Sequence, residues 1–422
     1  MKLWDKNNDQ ATDSVIESFT VGNDNVLDEK YFLVYDIKAT IAHASALKRA
    51  GIYSESEYNK VAYVLHRLES KASRGLIQVP VSDEDGHTTI ERLLTDELGD
   101  LGKKIHTGRS RNDQALTMIR LFMQRSLHDV TNRVDEVYVA LSILANKYRD
   151  QLFIGYTHGQ QAMPITLGHY FDSYRDQLLN DIRYVHSVRK SINTNPLGSG
   201  AGFGSSVNID RMHTTLKLDF DGTQVNSLYC QNSRGQYELR YLHALSQFMF
   251  TAQKLATDLI MYTSREFDFF SVSPEVTTGS SMMPQKQNLD VAELIRANHA
   301  VVTSCEARVS TLCHGLMSGY NRDYQLIKQS LVEAHEATYN CYAALKKLMY
   351  AITPKSESIK AKLKADIFAT DLALEKATLE NTPFRTAYKE ALEDVEHIAR
   401  IPESDMVKIV KNRKTLGAPG NY

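Results

Sequence analysis

The sequence predicts an all-α protein built on very long helices, and three observations carry that prediction. The nine prolines leave wide gaps: none falls between Pro80 and Pro164, between Pro196 and Pro274, or between Pro284 and Pro354. An interior proline removes a backbone donor and clashes with the preceding turn, so these gaps leave room for unbroken helices. Inside the gaps, apolar residues recur at three- and four-residue steps. Leu116, Ile119, Phe122, Met123, Leu127, Val130, Val134, Val137, Leu141 and Leu144 form one stripe of about eight turns, or roughly 40 Å at ~1.5 Å per residue. Strand-like alternation is nearly absent, with some β character only around Ile77 to Val81.

The pattern divides the chain into three parts. An N-terminal helical region covers residues 1–104, a long-helix bundle 105–353, and a small helical region 354–422. The bundle holds the stripe above and a second one at Leu331, His335, Thr338, Tyr342, Leu345, Met349 and Ile352. The segment Tyr237 to Phe270 is apolar on more than one face. Leu242, Leu245, Phe248, Met249, Ala252, Leu255, Leu259, Ile260 and Tyr262 lie within it. A helix apolar on several sides is covered on several sides, which predicts a central bundle and packing between subunits. In the last region Thr370-Asp371 is expected to cap one helix and Thr382-Pro383 to begin another. The tail LGAPGNY is expected to be loosely ordered.

Composition excludes several function classes. With 422 residues, 42% hydrophobic and 24% charged, the chain has the make-up of a globular protein. Its net charge of −2, from 49 basic and 51 acidic residues, provides no nucleic-acid footprint and no basic patch for a membrane surface. No apolar run is long enough to cross a bilayer. The polar N-terminus MKLWDKNNDQATDS lacks the apolar core of a signal peptide, so a cytoplasmic location is the default. Cys230, Cys305, Cys313 and Cys341 make no CxxC pair and have no histidine at metal-ligand spacing. They are expected to be small buried thiols, with no disulfide and no structural metal.

Chemistry-bearing residues cluster at the expected helix ends. The richest stretch is GSSMMPQKQNLDVAEL, from Gly279 to Leu294. Small residues let its backbone close over a ligand, and Ser280 and Ser281 supply hydroxyls. Lys286 and Asn288 follow, then a helix bearing Asp290 and Glu293. This is the layout of a flexible lid with a nucleophile or base at its tip and a cation behind it, suited to a carboxylate beside a reacting carbon. Gly-Ser-Ser before a helix also serves as a plain loop and cap. Three other loops are as dense in polar groups: HTGRSRNDQ at 106–114, GYTHGQQAMP at 155–164 and NPLGSGAGFG at 195–204. Polar loops held by rigid helices are the usual seat of chemistry.

HTGRSRNDQ together with GSSMMPQKQN resembles argininosuccinate lyase of the fumarase/aspartase superfamily. YTHGQ at 156–160, PLGSGAG at 196–202, YNRDYQLIK at 320–328, SDEDGHT at 82–88 and ATDLAL at 369–374 fit the same pattern, in order along nearly the whole chain. The lid marks the superfamily. The GRSRND segment and the set Tyr320, Gln325 and Lys328 are more specific to the argininosuccinate branch. The resemblance implies a fumarase/aspartase-type fold, a homotetramer with active sites shared between subunits, and no metal or organic cofactor. It implies reversible elimination of argininosuccinate to arginine and fumarate.

Such an elimination needs a base for the Cβ proton, stabilisation of a carbanion delocalised into a carboxylate, and an acid for the departing nitrogen. By resemblance Ser280, His158, Lys286 and Glu293 are the catalytic set. A serine can act as base only if backbone N–H groups and a cation stabilise its alkoxide. Lys286 matches that cation and the partner of the aci-carboxylate, and Glu293 matches the carboxylate that orients His158. Ser280 is favoured as base and His158 as acid, with the reverse assignment open. Ser110, Arg111, Asn112, Thr157 and Asn288 match carboxylate-binding positions, joined by Tyr320, Gln325 and Lys328. Asp85 matches a substrate contact, and a solvated turn is its alternative reading. For Arg234 a structural ion pair is as good a reading as a ligand contact.

Three departures from the family pattern stand out. Gln287 replaces a second lysine, Leu289 replaces a proline, and Gly22 replaces a serine that contacts substrate in many relatives. The C-terminal region is also short for the family. Two alternatives compete with the argininosuccinate reading. One is a related lyase acting on another succinyl substrate such as adenylosuccinate. The other is a non-catalytic, crystallin-like relative. Turnover of each substrate separates them.

Overall fold

The computed structural model describes residues 13–398 and 400–422. Most of the polar N-terminal stretch therefore lies outside the described residues. The α-helices of eight residues or more are α1 Ser14–Val21, α2 Leu33–Arg49, α3 Glu55–Ala72 and α4 Gly86–Leu98, followed by the long α5 Arg111–Lys147. A hairpin of β1 Leu152–Thr157 and β2 Gln160–Thr166 leads into α6 Leu167–Ile192 and α7 Gln236–Thr263. The short strands β3 Thr278–Gly279 and β4 Gln287–Asn288 precede α8 Asp290–Leu312 and α9 Ile327–Ala351. The chain ends with α10 Ala369–Leu379, α11 Phe384–Ile398 and α12 Glu403–Lys411. Mainly helical structure is what the proline gaps and stripes predict.

Two compact units emerge. One holds the chain up to Thr131 with Arg183–Ser246 and Ala300–Thr338. The other holds Asn132–Ile182, Gln247–His299 and Tyr339–Tyr422. All ten stripe residues of α5 are buried, and each fully buried aliphatic or aromatic side chain contributes about 1.5–3 kcal/mol. In the first unit Phe122 of α5 packs against Phe32 at 4.8 Å and His335 at 5.8 Å between ring centroids. One turn further along, the Ser126 hydroxyl hydrogen-bonds both the Tyr241 hydroxyl (2.6 Å) and His335 Nδ1 (2.7 Å). The N-terminal helices of the same unit share a core of Leu33, Ile37, Leu47, Val61, Leu65 and Leu94. In the second unit Phe153 of β1 is fully buried. It is ringed by Tyr170 at 5.3 Å, Tyr262 at 5.4 Å and Phe269 at 5.5 Å.

Three local expectations change. Ile77 and Val79 do bury alternately, at 7% and 3% exposure, but Ile77 to Val81 is not a strand. The Val79 N–H donates to Glu29 Oε2 (2.8 Å) and its carbonyl accepts from Asn25 Nδ2 (3.1 Å), so side chains satisfy the backbone where a second strand would. Strands form instead at two hairpins, Leu152–Thr157 with Gln160–Thr166 and Thr278–Gly279 with Gln287–Asn288, and at two short pairings of distant segments, Thr194–Asn195 with Gly222–Thr223 and Phe270–Val272 with Ile352–Pro354. At α10 the cap is Phe368, which leaves Thr370 and Asp371 inside the first turn, whereas α11 does begin directly after Pro383. The tail is fastened, not loose. The Tyr422 ring lies 5.3 Å from that of His169, with the Arg149 guanidinium 5.5 Å over it. The four cysteines are free thiols, buried at 230, 305 and 341 and half-buried at 313.

Candidate active site

In the second unit, His158 sits in the two-residue turn of the β1–β2 hairpin, whose register closes on Thr157 opposite Gln160. His158 has φ +54° and Gly159 φ +72°. Positive φ at both turn positions is the conformation whose twist matches antiparallel strands, and it explains the glycine in YTHGQ. Thr157 and His158 are exposed at this tip.

The lid belongs to the same unit. Thr278 pairs with Asn288 and Gly279 with Gln287, which closes residues 280–286 into a loop. The Ser280 hydroxyl oxygen accepts from the backbone N–H of Met282 (3.3 Å) and of Met283 (3.0 Å). The Lys286 N–H donates to Met283 O at 3.0 Å, and Arg265 Nη2 donates to Gln285 O at 3.1 Å. Lys286 and Glu293 are exposed and Asn288 is half-buried, while Leu289 is buried at 8% exposure. Leu289 thus places a buried apolar side chain directly before α8. Among the described residues, no side-chain hydrogen bond or ion pair engages His158, Lys286 or Glu293. Within one chain the structure therefore does not join Glu293 to His158.

In the first unit, a cavity of about 160 Å³ is lined by Asp85, Arg111, Asn112, Tyr320, Gln325 and Lys328, with Arg234 beside them. That is smaller than the ~300–1,000 Å³ of a whole drug-sized site, so it suits one end of a ligand. The first turn of α5 contributes Arg111, whose Nη1 lies 3.3 Å from both Glu84 Oε2 and Asp85 Oδ2. Asp85 caps α4 by accepting from the Thr88 N–H (2.8 Å) and hydroxyl (2.8 Å). Burial pushes its carboxyl up, but His87, Arg111 and the Thr88 bonds outweigh burial and leave it below the usual range. Ser110 sits one residue before α5 without lining the cavity. Its hydroxyl accepts from the Asn112 N–H at 3.3 Å. Its own N–H donates to Asp113 Oδ1 (2.8 Å), whose Oδ2 accepts from Gly198 N (2.9 Å) and Gly200 N (3.0 Å). One carboxylate thus locks the HTGRSRND loop to the PLGSGAG loop.

Lys328 is a buried cation, 2.7 Å from Asp28 and 2.9 Å from Asp24. Burial favours its neutral form, yet the two carboxylates overcome this and hold it above the ordinary lysine range. Burial, helped by Asp28 and opposed by Lys328, pushes Asp24 up to about 6. Gln325 Nε2 donates to Thr20 O (2.9 Å) and Val21 O (3.2 Å), next to Gly22. Arg234 is buried and donates to Gln231 Oε1 (3.0 Å) and to the Asn112 carbonyl. Its guanidinium lies 5.1 Å from the Tyr320 ring centroid and 5.7 Å from that of Tyr324. These contacts make it a support of the cavity wall.

Sequence reasoning passed over Asp24 and His87, which also line this cavity. His87 Nδ1 is 2.5 Å from Asp36 Oδ2, while its buried Nε2 has no hydrogen-bond partner. The signal was present in SDEDGHT, where the histidine follows Asp85 by two residues. Asp24 and Asp28 are four residues apart, the spacing that places two carboxylates on one helical face. Among the described residues, no group of three or more His, Cys, Asp or Glu is placed to hold a metal ion, and no helix is long and apolar enough to cross a membrane.

Comparison with known proteins places this arrangement of long helices and polar loops among the lyases. Residues 6–303 match the family model described as lyase. Argininosuccinate lyase of Thermotoga neapolitana is 36% identical over 388 residues, covering 92% of this chain and 96% of that one. That of Sorangium cellulosum is 37% identical over 421 residues, covering 100% and 96%. The chain belongs to the lyase family, in the branch of the argininosuccinate lyases. Solved structures share its fold. An EDDS lyase variant with bound fumarate superposes with a TM-score of 0.80 at 22% identity, over 97% of this chain and 88% of that one. The class II fumarase of Schistosoma mansoni gives 0.73 at 16% identity, over 93% and 94%.

Proposed function

We propose that this protein is an argininosuccinate lyase, which splits argininosuccinate reversibly into arginine and fumarate in arginine biosynthesis. The observation that carries the reading is the Ser280 hydroxyl oxygen, held by two backbone N–H groups on a lid that also bears Lys286. Those donors are what a serine needs to carry negative charge. In the proposed step Ser280 takes the Cβ proton and the Cβ–H electrons move into the neighbouring carboxylate. Lys286 and Asn288 stabilise the resulting aci-carboxylate. The C–N bond then breaks, and the nitrogen receives a proton from His158, whose basicity Glu293 sustains. Ser110, Arg111, Asn112 and Thr157 bind carboxylates. Asp85, Tyr320, Gln325 and Lys328 complete the substrate contacts. The mixed charges around Lys328 and Arg111 suit a ligand carrying both carboxylates and cationic groups.

The active enzyme is proposed to be a cytoplasmic homotetramer with active sites shared between subunits. This accounts for exposed Ser280-lid and His158 segments in a single chain. The three-part division at 104 and 353 is kept as its domain plan. Purified protein incubated with argininosuccinate should release fumarate, followed by its ultraviolet absorbance. Turnover of adenylosuccinate alone would assign a different lyase, and turnover of neither would favour a crystallin-like protein. Reassembling mixed subunits of Ser280→Ala and His158→Asn should recover activity. No recovery after verified mixing would count against a shared site.

A further inference from the structure

We propose that Arg413, through Asp371, is a positioning residue for the hairpin turn that carries His158. The proposal rests on the catalytic role given to His158 above. A two-stranded hairpin is marginal by itself in water, so its direction must be set by what grips it. The base of this one is held by the aromatic cluster around Phe153. Beyond it the register shifts between Gly155 and Tyr156, and such a bulge bends a strand. The tip past the bulge is exposed, and two contacts from the C-terminal region reach β2, one past the bulge at Gln161 and one at its root, at Pro164 opposite Ile154. Gln161 Nε2 donates to Lys362 O at 2.9 Å. Arg413 Nη1 donates to Pro164 O at 2.7 Å.

The second contact is built for rigidity. Arg413 Nε donates to Asp371 Oδ1 at 2.8 Å and Nη2 to Asp371 Oδ2 at 2.6 Å, a two-pronged pair. The side chains are only 19% and 9% exposed, so solvent screens the pair little. One planar guanidinium therefore joins the first turn of α10, the segment after α12, and strand β2. Pro164 and the turn are separated by a few residues, roughly 13–20 Å along the strand at ~3.3 Å each. A small tilt at Pro164 becomes a displacement of about an ångström at His158, enough to cost up to about 100-fold in rate.

The test compares Arg413→Ala, Arg413→Lys and Asp371→Ala with a control, Lys411→Gln. Lys411, two residues earlier at the end of α12, reaches Asp150 at 2.7 Å, but with side chains 43% and 58% exposed. Expected is a tenfold or greater fall in kcat for Arg413→Ala and Asp371→Ala, with KM changed less than about threefold. The double variant should be no worse than either single one, and the control should be unchanged. Arg413→Lys should recover only part, because an ammonium cannot form the fork. Added guanidinium ion at millimolar concentration should restore part of the Arg413→Ala activity. Hydrogen exchange should quicken in residues 155–164 and not in the rest of the chain. Unchanged kcat, or faster exchange spread over the whole chain, would overturn the proposal. If the wild-type protein does not cleave argininosuccinate, the functional reading fails. Exchange confined to the hairpin would then still support the clamp, and unchanged hairpin exchange would reject it.

Discussion

Ser280→Ala removes one hydroxyl from the lid and leaves the backbone free to keep its shape. The hydroxyl oxygen accepts two backbone N–H groups, at 3.3 and 3.0 Å. Both belong to surface residues, Met282 at 87% and Met283 at 42% exposure. Water can replace a lost acceptor at such positions, so unfolding free energy should fall by no more than about 1 kcal/mol. Chemistry should respond very differently. The hydroxyl is assigned the proton transfer, and its two N–H donors stabilise charge only while that charge exists. Loss of kcat should reach about 10³-fold or more, equivalent to ~4 kcal/mol of barrier. Substrate affinity should change little, because the assigned carboxylate contacts remain. Urea unfolding measures the first quantity, fumarate absorbance the second, and binding of argininosuccinate to the inactive variant the third. A kcat within tenfold of wild type would refute the assignment. So would a loss of activity accompanied by a stability loss above about 2 kcal/mol, which would make the hydroxyl a structural group.

Further outcomes follow from the same geometry. Gln287→Lys should alter KM by no more than about tenfold, and more at low salt than at high, since the side chain is exposed. Lys286→Gln should lower kcat by about 100-fold or more in the same assay, and similar effects from both substitutions would contradict the lid assignment. Gly22 has φ 54° and ψ −125°, with nothing within 4 Å of an added Cβ. Gly22→Ser should therefore cost about 1–2 kcal/mol of backbone strain without a clash, measured by urea unfolding. Asp24 is raised by burial from 3.8 to about 6, so between those values the folded chain holds more protons than the unfolded one. Stability attributable to this group is full below that window and is lost as pH rises through about 6. Asp24→Asn should flatten that decline in unfolding measured across the window.

What the sequence determined by itself was everything that depends on local repetition. The stripe from Leu116 to Leu144 follows from a 3.6-residue period, and all its members are buried. The motif segments were equally legible, because a dense run such as GSSMMPQKQN is contiguous in the chain. Secondary structure that needs a distant partner was not legible. Ile77 to Val81 alternates like a strand, yet Glu29 and Asn25 take its backbone groups. By contrast the segments flanking His158 pair because a turn with two positive φ angles folds them together. Long-range charge was hidden for the same reason. Lys328 meets Asp28 across 300 residues of sequence, and Arg413 meets Asp371 across 42. The tail LGAPGNY reads as an unstructured end until Tyr422 finds His169 and Arg149. Periodicity is written in neighbouring residues, while a hydrogen bond or ion pair depends on which distant segment the packed chain places opposite.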